Sequence, residues 1–493
     1  MTITVFNREE LNDRIEDFIG SQLDRSSYQL IVKDARELLT YNRFDLGLKL
    51  AYLAYKDVLP KFADEVYFHD IRSQTLGKFE EYGNEEKSSF KIYVEHFEKT
   101  FDSIKNYGFD KDESVIPLSF NGSILNGAHR VASAIFLNKS VACVHTELAE
   151  IKPDYKYFID RDVPEYILDT GAVSFCDYSE DIYIAFLWPS GRQNYNQCQQ
   201  LFPGVVYEKN IKLNENGGHN LLIELYKHMD WVGSAATGFP GAHQKLMECF
   251  TDFDEFRIIL FQCETLEKVQ KIKKKVRDIN RIGFSSVHIT DTKEEVQRIS
   301  RLVFNQNGLH FLNYAKPYKF KSSMEMVGSI LPLGKDLLNG LVLDGSMTLA
   351  VYGLRAARDI DYLSDKDIVA SKGSFNLESH DSQILFHKVE KQDLIYNPKY
   401  YFEYLGVKFV SFKQTYQFKK NRNEVKDKND CQMMTSLIEK NSFRFFVASF
   451  KQKFFYRKLI IKNRLRVFVF NVLRVTGTYE MVRKIYRILI GRK

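Results

Sequence analysis

Asp359-Ile360-Asp361 is the clearest chemical signal in this 493-residue chain. Side chains at i and i+2 of a strand share a face, so both carboxylates reach a common cation. Twelve residues separate the first of them from Gly345-Ser346, which closes an apolar run beginning at Leu341. The stretch LVLDGSMTLAVYGLRAARDIDYL, residues 341–363, reads as a strand, a tight turn, a helix of about ten residues and a second short strand. Carboxylates paired across Mg2+ or Mn2+ bind nucleotide phosphates and steady both oxygens of an in-line displacement, which points to phosphoryl or nucleotidyl transfer. An isolated Asp-x-Asp reads instead as a turn cap or a holder of structural water; the surrounding strand, turn and helix favour the metal.

Taken together, the Gly-Ser turn, the spacing and the acidic pair resemble the DNA polymerase beta-like nucleotidyltransferase superfamily, over about residues 325–440. The resemblance implies that Gly345 and Ser346 hold a triphosphate, that Asp359 and Asp361 bind two metals, and that a third carboxylate arrives on a later strand. Glu378 and Asp381, in SFNLESHDSQILF, are the nearest candidates, Glu378 as a catalytic carboxylate and Asp381 as a metal ligand. Asp393 is less suited, because it opens a loop into Asn397-Pro398. Downstream, GVKFVSFKQTYQFKKNRNEVKDKNDCQMM resembles the strand and helix that close such domains, with Lys419, Arg422, Lys426, Asp427 and Asp430 at helical spacing. Lys408 or Lys419 would meet phosphate. Alone, that charged helix reads as a solvated face.

A second segment, ESVIPLSFNGSILNGAHRVASAIFLNKSVACVH, places two short apolar runs before the turn Asn126-Gly127. Val131, Ala134, Ile135 and Leu137 then give a helix its buried face. His129 and Arg130 fall at the helix start, where free N–H groups and a guanidinium fork suit an anion. Gly127-Ala128-His129-Arg130 resembles the phosphate-gripping turn of the ParB/sulfiredoxin-like superfamily, which implies phosphate handling without choosing a reaction. Asn126 stands where an Asp is common. Acidic partners are offered by Glu80, Glu81, Glu85 and Glu86; His129 reads equally as a turn-stabilising imidazole.

These elements divide the chain into a first α/β unit (1–150), a middle α/β domain (151–325), the nucleotidyltransferase-like domain (326–440) and a basic helical tail (441–493). The expected fold class is accordingly multidomain α/β and α+β. In the middle domain, Ile182–Trp188, Arg257–Cys263 and Ser286–Thr290 read as strands, and KVQKIKKKVRDINRIG as a helix. Thr292 reads as an N-cap, Gly217-Gly218-His219-Asn220 and Gly238-Phe239-Pro240-Gly241 as loops, and His288 and Asp291 as candidate substrate ligands beside a plain capping role.

Six scattered cysteines, with no Cys-x-x-Cys pair, indicate neither a disulfide framework nor a zinc site, and suit a reducing compartment. The polar, acidic N-terminus lacks the pattern of a signal peptide, and no apolar run is long enough to span a membrane. The net charge of +6 conceals an uneven division. Residues 441–493 hold fourteen Lys or Arg against the single acid Glu480, which leaves residues 1–440 at −7. A mildly acidic body argues against general nucleic-acid binding.

The tail should form two amphipathic cationic helices joined near Thr476-Gly477-Thr478, suited to an anionic membrane surface, to packing on protein, or to nucleic acid. The expectation is a cytoplasmic enzyme, peripheral on the inner face of the membrane, that transfers NMP from an NTP to a small hydroxylated or phosphorylated acceptor. A sugar or polyol phosphate of surface-polysaccharide synthesis would suit it, with a coupled small-molecule kinase in the first unit. The alternatives are a non-catalytic, nucleotide-responsive binding protein and a toxin-like transferase modifying tRNA or protein.

Overall fold

The computed structural model describes residues 5–80, 88–366 and 376–489. Glu81, Glu85 and Glu86 lie outside them, and Glu80 is exposed. The chain is a mixed α/β protein in which the described strands form three small sheets.

The first sheet has the order β1 (Val5–Asn7), β2 (Ser27–Asp34), β4 (Ser140–His145), β3 (Ile116–Leu118). Helices α1 (Phe44–Tyr55), α2 (Pro60–Gln74) and α3 (Phe90–Tyr107) intervene in sequence between β2 and β3, and α4 (Ala128–Phe136) returns the chain to β4. Buried between α1 and α2 is an ionic cluster: Arg43 pairs with Asp45 at 2.8 Å, and Lys49 reaches Asp45 at 3.3 Å and Asp70 at 2.7 Å. Such groups are tolerated inside only because each charge has a counter-charge.

The second sheet runs β6 (Val205–Ile211), β7 (Phe256–Gln262), β5 (Ile182–Leu187), β8 (Val287–Ile289), with all its pairings antiparallel. Strands β5, β7 and β8 fall on the expected apolar runs, and β6 is an addition to them. Helices α5 (Glu165–Tyr178), α6 (Glu215–Tyr226), α7 (Leu266–Asn280) and α8 (Lys293–Val303) surround it, and Thr292 caps α8 by accepting the Glu295 N–H. Gly217-Gly218-His219-Asn220 departs from expectation, lying inside α6 instead of in a loop. A Cβ on Gly217 would stand 2.2 Å from Asn313 Oδ1, and one on Gly218 2.6 Å from Leu246 Cδ1. The glycines therefore permit close helix packing instead of a turn.

The third sheet has the order β11 (Leu377–Ser379), β10 (Ile360–Ser364), β9 (Leu341–Leu343), β13 (Val407–Val410), β12 (Tyr401–Tyr404). Strands β9 and β13 are buried along their whole length, and one apolar core runs from this sheet through the other two. The helix after the Gly-Ser turn, α9 (Ser346–Val351), has six residues instead of about ten. The expected single charged helix over 419–430 is two, α10 (Phe412–Arg422) and α11 (Val425–Ile438), broken where Asn423 turns left-handed at φ 57°.

The C-terminal residues form α12 (Ser442–Val475) and α13 (Tyr479–Leu489), divided at the expected Thr476-Gly477-Thr478. The first half of α12 belongs to the folded body. Ala448 is buried, and Gln452 donates to Asp430 at 2.9 Å while accepting from Asn429 at 2.9 Å, which fastens α12 to α11. Among the described residues no helix is long and apolar enough to cross a membrane.

Candidate functional site

Strand β10 carries Asp361, and Asp359 immediately precedes it. Beside β10, β11 runs parallel with Asp361 and Glu378 as register partners. Pairing in register puts Glu378 on the same face as Asp361, and one oxygen from each of Asp359, Asp361 and Glu378 lies within 4.8 Å of the others. On the other side of β10, β9 leads through Asp344 into Gly345-Ser346. There the Ser346 hydroxyl lies 3.4 Å from Asp359 Oδ1 and 3.5 Å from Asp361 Oδ2. Gly345 has φ 55° and ψ −106°, and a Cβ there would stand 3.1 Å from Asp361 Oδ2. Only glycine brings its backbone so near the carboxylates in that conformation.

His380, one residue past β11, ties the acids together. Its Nδ1 lies 2.9 Å from Asp344 Oδ2 and its Nε2 3.1 Å from Asp361 Oδ1. His387 Nε2 also reaches Asp344 Oδ2, at 3.0 Å. Burial opposes charge on both partners, yet the two imidazoles hold the Asp344 carboxyl well below the usual carboxylate range. Likewise, burial would lower His380, but its bonds to Asp344 and Asp361 push it up to about 9. The bonds to Asp344 and Asp361 thus favour the protonated form of the imidazole that bridges them.

Across a cavity of about 360 Å3, the acids face a cationic wall of Arg355, Arg358, Lys419, Arg422 and Lys426. Buried carboxylates of α11 position it. Asp430 accepts from Arg355 at 2.8 and 3.0 Å and lies 2.8 Å from Lys419, while Asp427 accepts from Arg422 at 2.8 Å through two nitrogens. Arg358 has no carboxylate partner among the described residues and stacks 3.7 Å from the Tyr456 ring. Phe455, Tyr456 and Leu459 of α12 complete the lining. The arrangement suits a ligand that is anionic at one end and brings hard cations to the carboxylates.

Of the residues expected from sequence, Gly345, Ser346, Asp359, Asp361, Glu378 and Lys419 are brought together here. Asp381 is not a member of the acidic cluster: it sits exposed in a 3-10 turn and pairs with Lys391 at 2.7 Å. Turning away from the strand removes it from the face that Glu378 shares. Lys408 is buried in β13 and donates to the carbonyls of Asn339 at 2.5 Å and Ile395 at 2.7 Å, away from the cavity lining. Its role is to tie β13 to neighbouring segments. Asp344, His380, Arg355, Arg358 and Tyr456 were not singled out by sequence. Asp344 and His380 stood inside quoted motifs, whereas Tyr456 had no local signal.

In the first sheet's unit, Gly127 takes the left-handed conformation (φ 85°) at the start of α4, as its turn role requires. Arg130 is engaged by the Glu16 carboxylate at 2.9 Å, and His129 bonds to the Tyr67 hydroxyl at 2.8 Å. The expected anion position is thus answered by a side chain of the protein itself. His288 and Asp291 both line a larger cavity, about 1010 Å3, in the middle region. Lys273 pairs there with Asp291 at 2.6 Å, and His288, whose pKa burial lowers, lies 3.3 Å from Glu295.

No family model matches the chain, and no solved structure matches it. Among curated proteins, it is 30% identical over 112 residues to an A-type inclusion protein A25 homolog of variola virus, covering 22% of this chain and 15% of that protein. It is also 32% identical over 85 residues to the A-type inclusion protein A25 of vaccinia virus, covering 17% and 11%. The chain spans only a small fraction of the length of these relatives, and the likeness is confined to that share of each sequence.

Proposed function

We propose that this protein is a metal-dependent nucleotidyltransferase moving a nucleoside monophosphate from an NTP to a small hydroxylated or phosphorylated acceptor. The observation that carries the reading is the convergence of Asp359, Asp361 and Glu378 within 4.8 Å, opposite a cationic wall. Three carboxylates without sulfur or imidazole among them are hard donors of the kind Mg2+ and Mn2+ take, so the residues fit these ions. When bound, such ions would lower the cost of forming the acceptor nucleophile and offset charge on the departing pyrophosphate.

The chain's own groups supply the rest. Ser346 and the Gly345 backbone border the acids from the β9 side, where a triphosphate would lie. Arg358 faces its negative charge, while Lys419 at the same cavity is held by Asp427 and Asp430, and His380 fixes the orientation of Asp361. In the transfer, the acceptor oxygen bonds to the α-phosphorus, the bond from that phosphorus to the pyrophosphate bridging oxygen breaks, and the acceptor's proton is released. On this reading, about residues 326–440 form a polymerase beta-like domain and the first unit is ParB/sulfiredoxin-like. A sugar or polyol phosphate of surface-polysaccharide synthesis remains the acceptor class we favour, because two phosphate-type motifs stand in one chain. The accompanying kinase activity has less support, because Glu16 occupies Arg130.

The test is pyrophosphate release by the purified full chain with NTPs, Mg2+ and a panel of sugar and polyol phosphates. We expect release that requires metal and is lost in Asp359→Asn. The absence of both metal-dependent NTP binding and pyrophosphate release with any acceptor would overturn the proposal.

A further inference from the structure

Helix α12 has 34 residues, about 51 Å at 1.5 Å per residue, and its two halves have different surroundings. The first half is clamped to α11 by Gln452 and contributes Phe455, Tyr456 and Leu459 to the candidate site. Beyond Leu459, among the described residues, its only cover is Tyr479 of the following helix. Ile461 and Leu465 are each 59% exposed, Phe468 64% and Val475 88%. Lys462, Arg464, Arg466 and Arg474 are interspersed among them. At 100° per residue, Ile461, Leu465, Phe468, Val472 and Val475 fall on one face of this half that carries no basic residue, while Lys462, Arg464, Arg466 and Arg474 lie outside that face, so the amphipathic and cationic character expected from sequence is present. Tyr479 of α13 packs on Phe470, with ring centroids 4.8 Å apart.

We propose that residues 460–475 are a docking element for an anionic lipid surface, which holds the candidate site against that surface. Exposed apolar side chains in such a run call for an occupant, and the charge identifies its class. A second copy of this segment would bring cations against cations, since residues 441–493 carry fourteen Lys or Arg and one acid. Nucleic acid would match the charge but leave Ile460, Ile461, Val467 and Val469 in water, because aromatic rings, not aliphatic chains, stack on bases. The headgroup zone accepts both kinds of group. Aliphatic side chains sink toward the acyl boundary, the stems of Lys and Arg lie along it, and each cation contributes about 1 kcal/mol. Because Leu459 both lines the site and is partly exposed next to Ile460, docking of residues 460–475 puts the α12 wall of the cavity within one turn of the lipid.

The experiment is co-sedimentation of the full chain with vesicles of phosphatidylcholine alone, or of phosphatidylcholine with phosphatidylglycerol. Three proteins are compared: the natural chain, Arg464→Gln/Arg466→Gln, and Ile461→Asp/Leu465→Asp/Phe468→Asp, with far-UV circular dichroism and monomer mass checked for each. We expect binding that requires phosphatidylglycerol and falls with salt. The double Arg change should weaken it about 30-fold, as two cations near the surface imply, and the triple change should abolish it while helix content is retained. Equal binding to both vesicle types, no binding to either, or unchanged binding by both folded variants would overturn the proposal. So would association of the segment with RNA or with a second copy in preference to anionic vesicles.

Discussion

Asp361 and Glu378 are direct register partners on the parallel strands β10 and β11, and with Asp359 they bring three carboxylate oxygens within 4.8 Å. Like charges held so close repel unless a cation intervenes. Replacing one should therefore affect the metal-free and the metal-loaded protein in opposite directions.

In metal-free buffer, Glu378→Gln should melt slightly higher than the natural chain, because one repelling charge is gone and, among the described residues, Glu378 holds no cation, whereas Asp361 also bonds to His380. Adding Mg2+ should raise the melting temperature of the natural chain but not of the variant. Saturation at a hundred times the dissociation constant adds about 2.7 kcal/mol by mass action, and chelation should reverse it. Differential scanning fluorimetry with and without EDTA measures both arms.

Activity should separate Glu378 from Asp381. Glu378→Gln should lower metal-dependent pyrophosphate release by more than the about 10–100-fold typical of losing a partner that supports a metal ligand. Asp381→Asn should leave it unchanged, since that carboxylate pairs with Lys391 on the surface. If the protein is instead a nucleotide-responsive binder, calorimetry will find NTP affinity insensitive to Asp359→Asn and Glu378→Gln alike.

Gly345→Ala should damage both fold and site. Its φ of 55° with ψ −106° disfavours any side chain, and the new Cβ would press on Asp361 Oδ2 at 3.1 Å. A loss of about 1–3 kcal/mol in urea unfolding is expected from the backbone alone, together with weaker metal binding.

Lys408 gives a pH signature independent of the site. Burial lowers its pKa from 10.5 to about 8, so between these values the unfolded chain holds the proton that the folded chain has released. Its contribution to stability therefore rises with pH across that window. Lys408→Met should remove this rise, and it should cost about 1–3 kcal/mol at neutral pH through the carbonyls of Asn339 and Ile395 left unpaired. Urea titrations of both proteins from pH 7 to pH 10 would check it.

Arg130→Gln is expected to change stability by about 1 kcal/mol or less, because its pair with Glu16 is partly solvated. Pyrophosphate release should be unaffected. A large loss of NTP binding would instead return the first sheet's turn to consideration as a phosphate site.

The sequence by itself determined what is local. The i, i+2 spacing of Asp359 and Asp361 put both on one face, Thr292 announced the start of a helix, and apolar runs marked β5, β7 and β8. These follow from backbone periods and capping chemistry acting over a few residues. Tertiary structure decided what depends on register and on distant segments. The β10–β11 pairing selected Glu378 over Asp381, although they stand only three positions apart, because the chain turns out of the sheet after Ser379. Packing against Asn313 and Leu246 made a helix of Gly217-Gly218, and the Gln452 clamp brought Tyr456 of α12 over Arg358. No periodicity encodes such meetings, since they arise from pairing and burial between segments far apart in the chain.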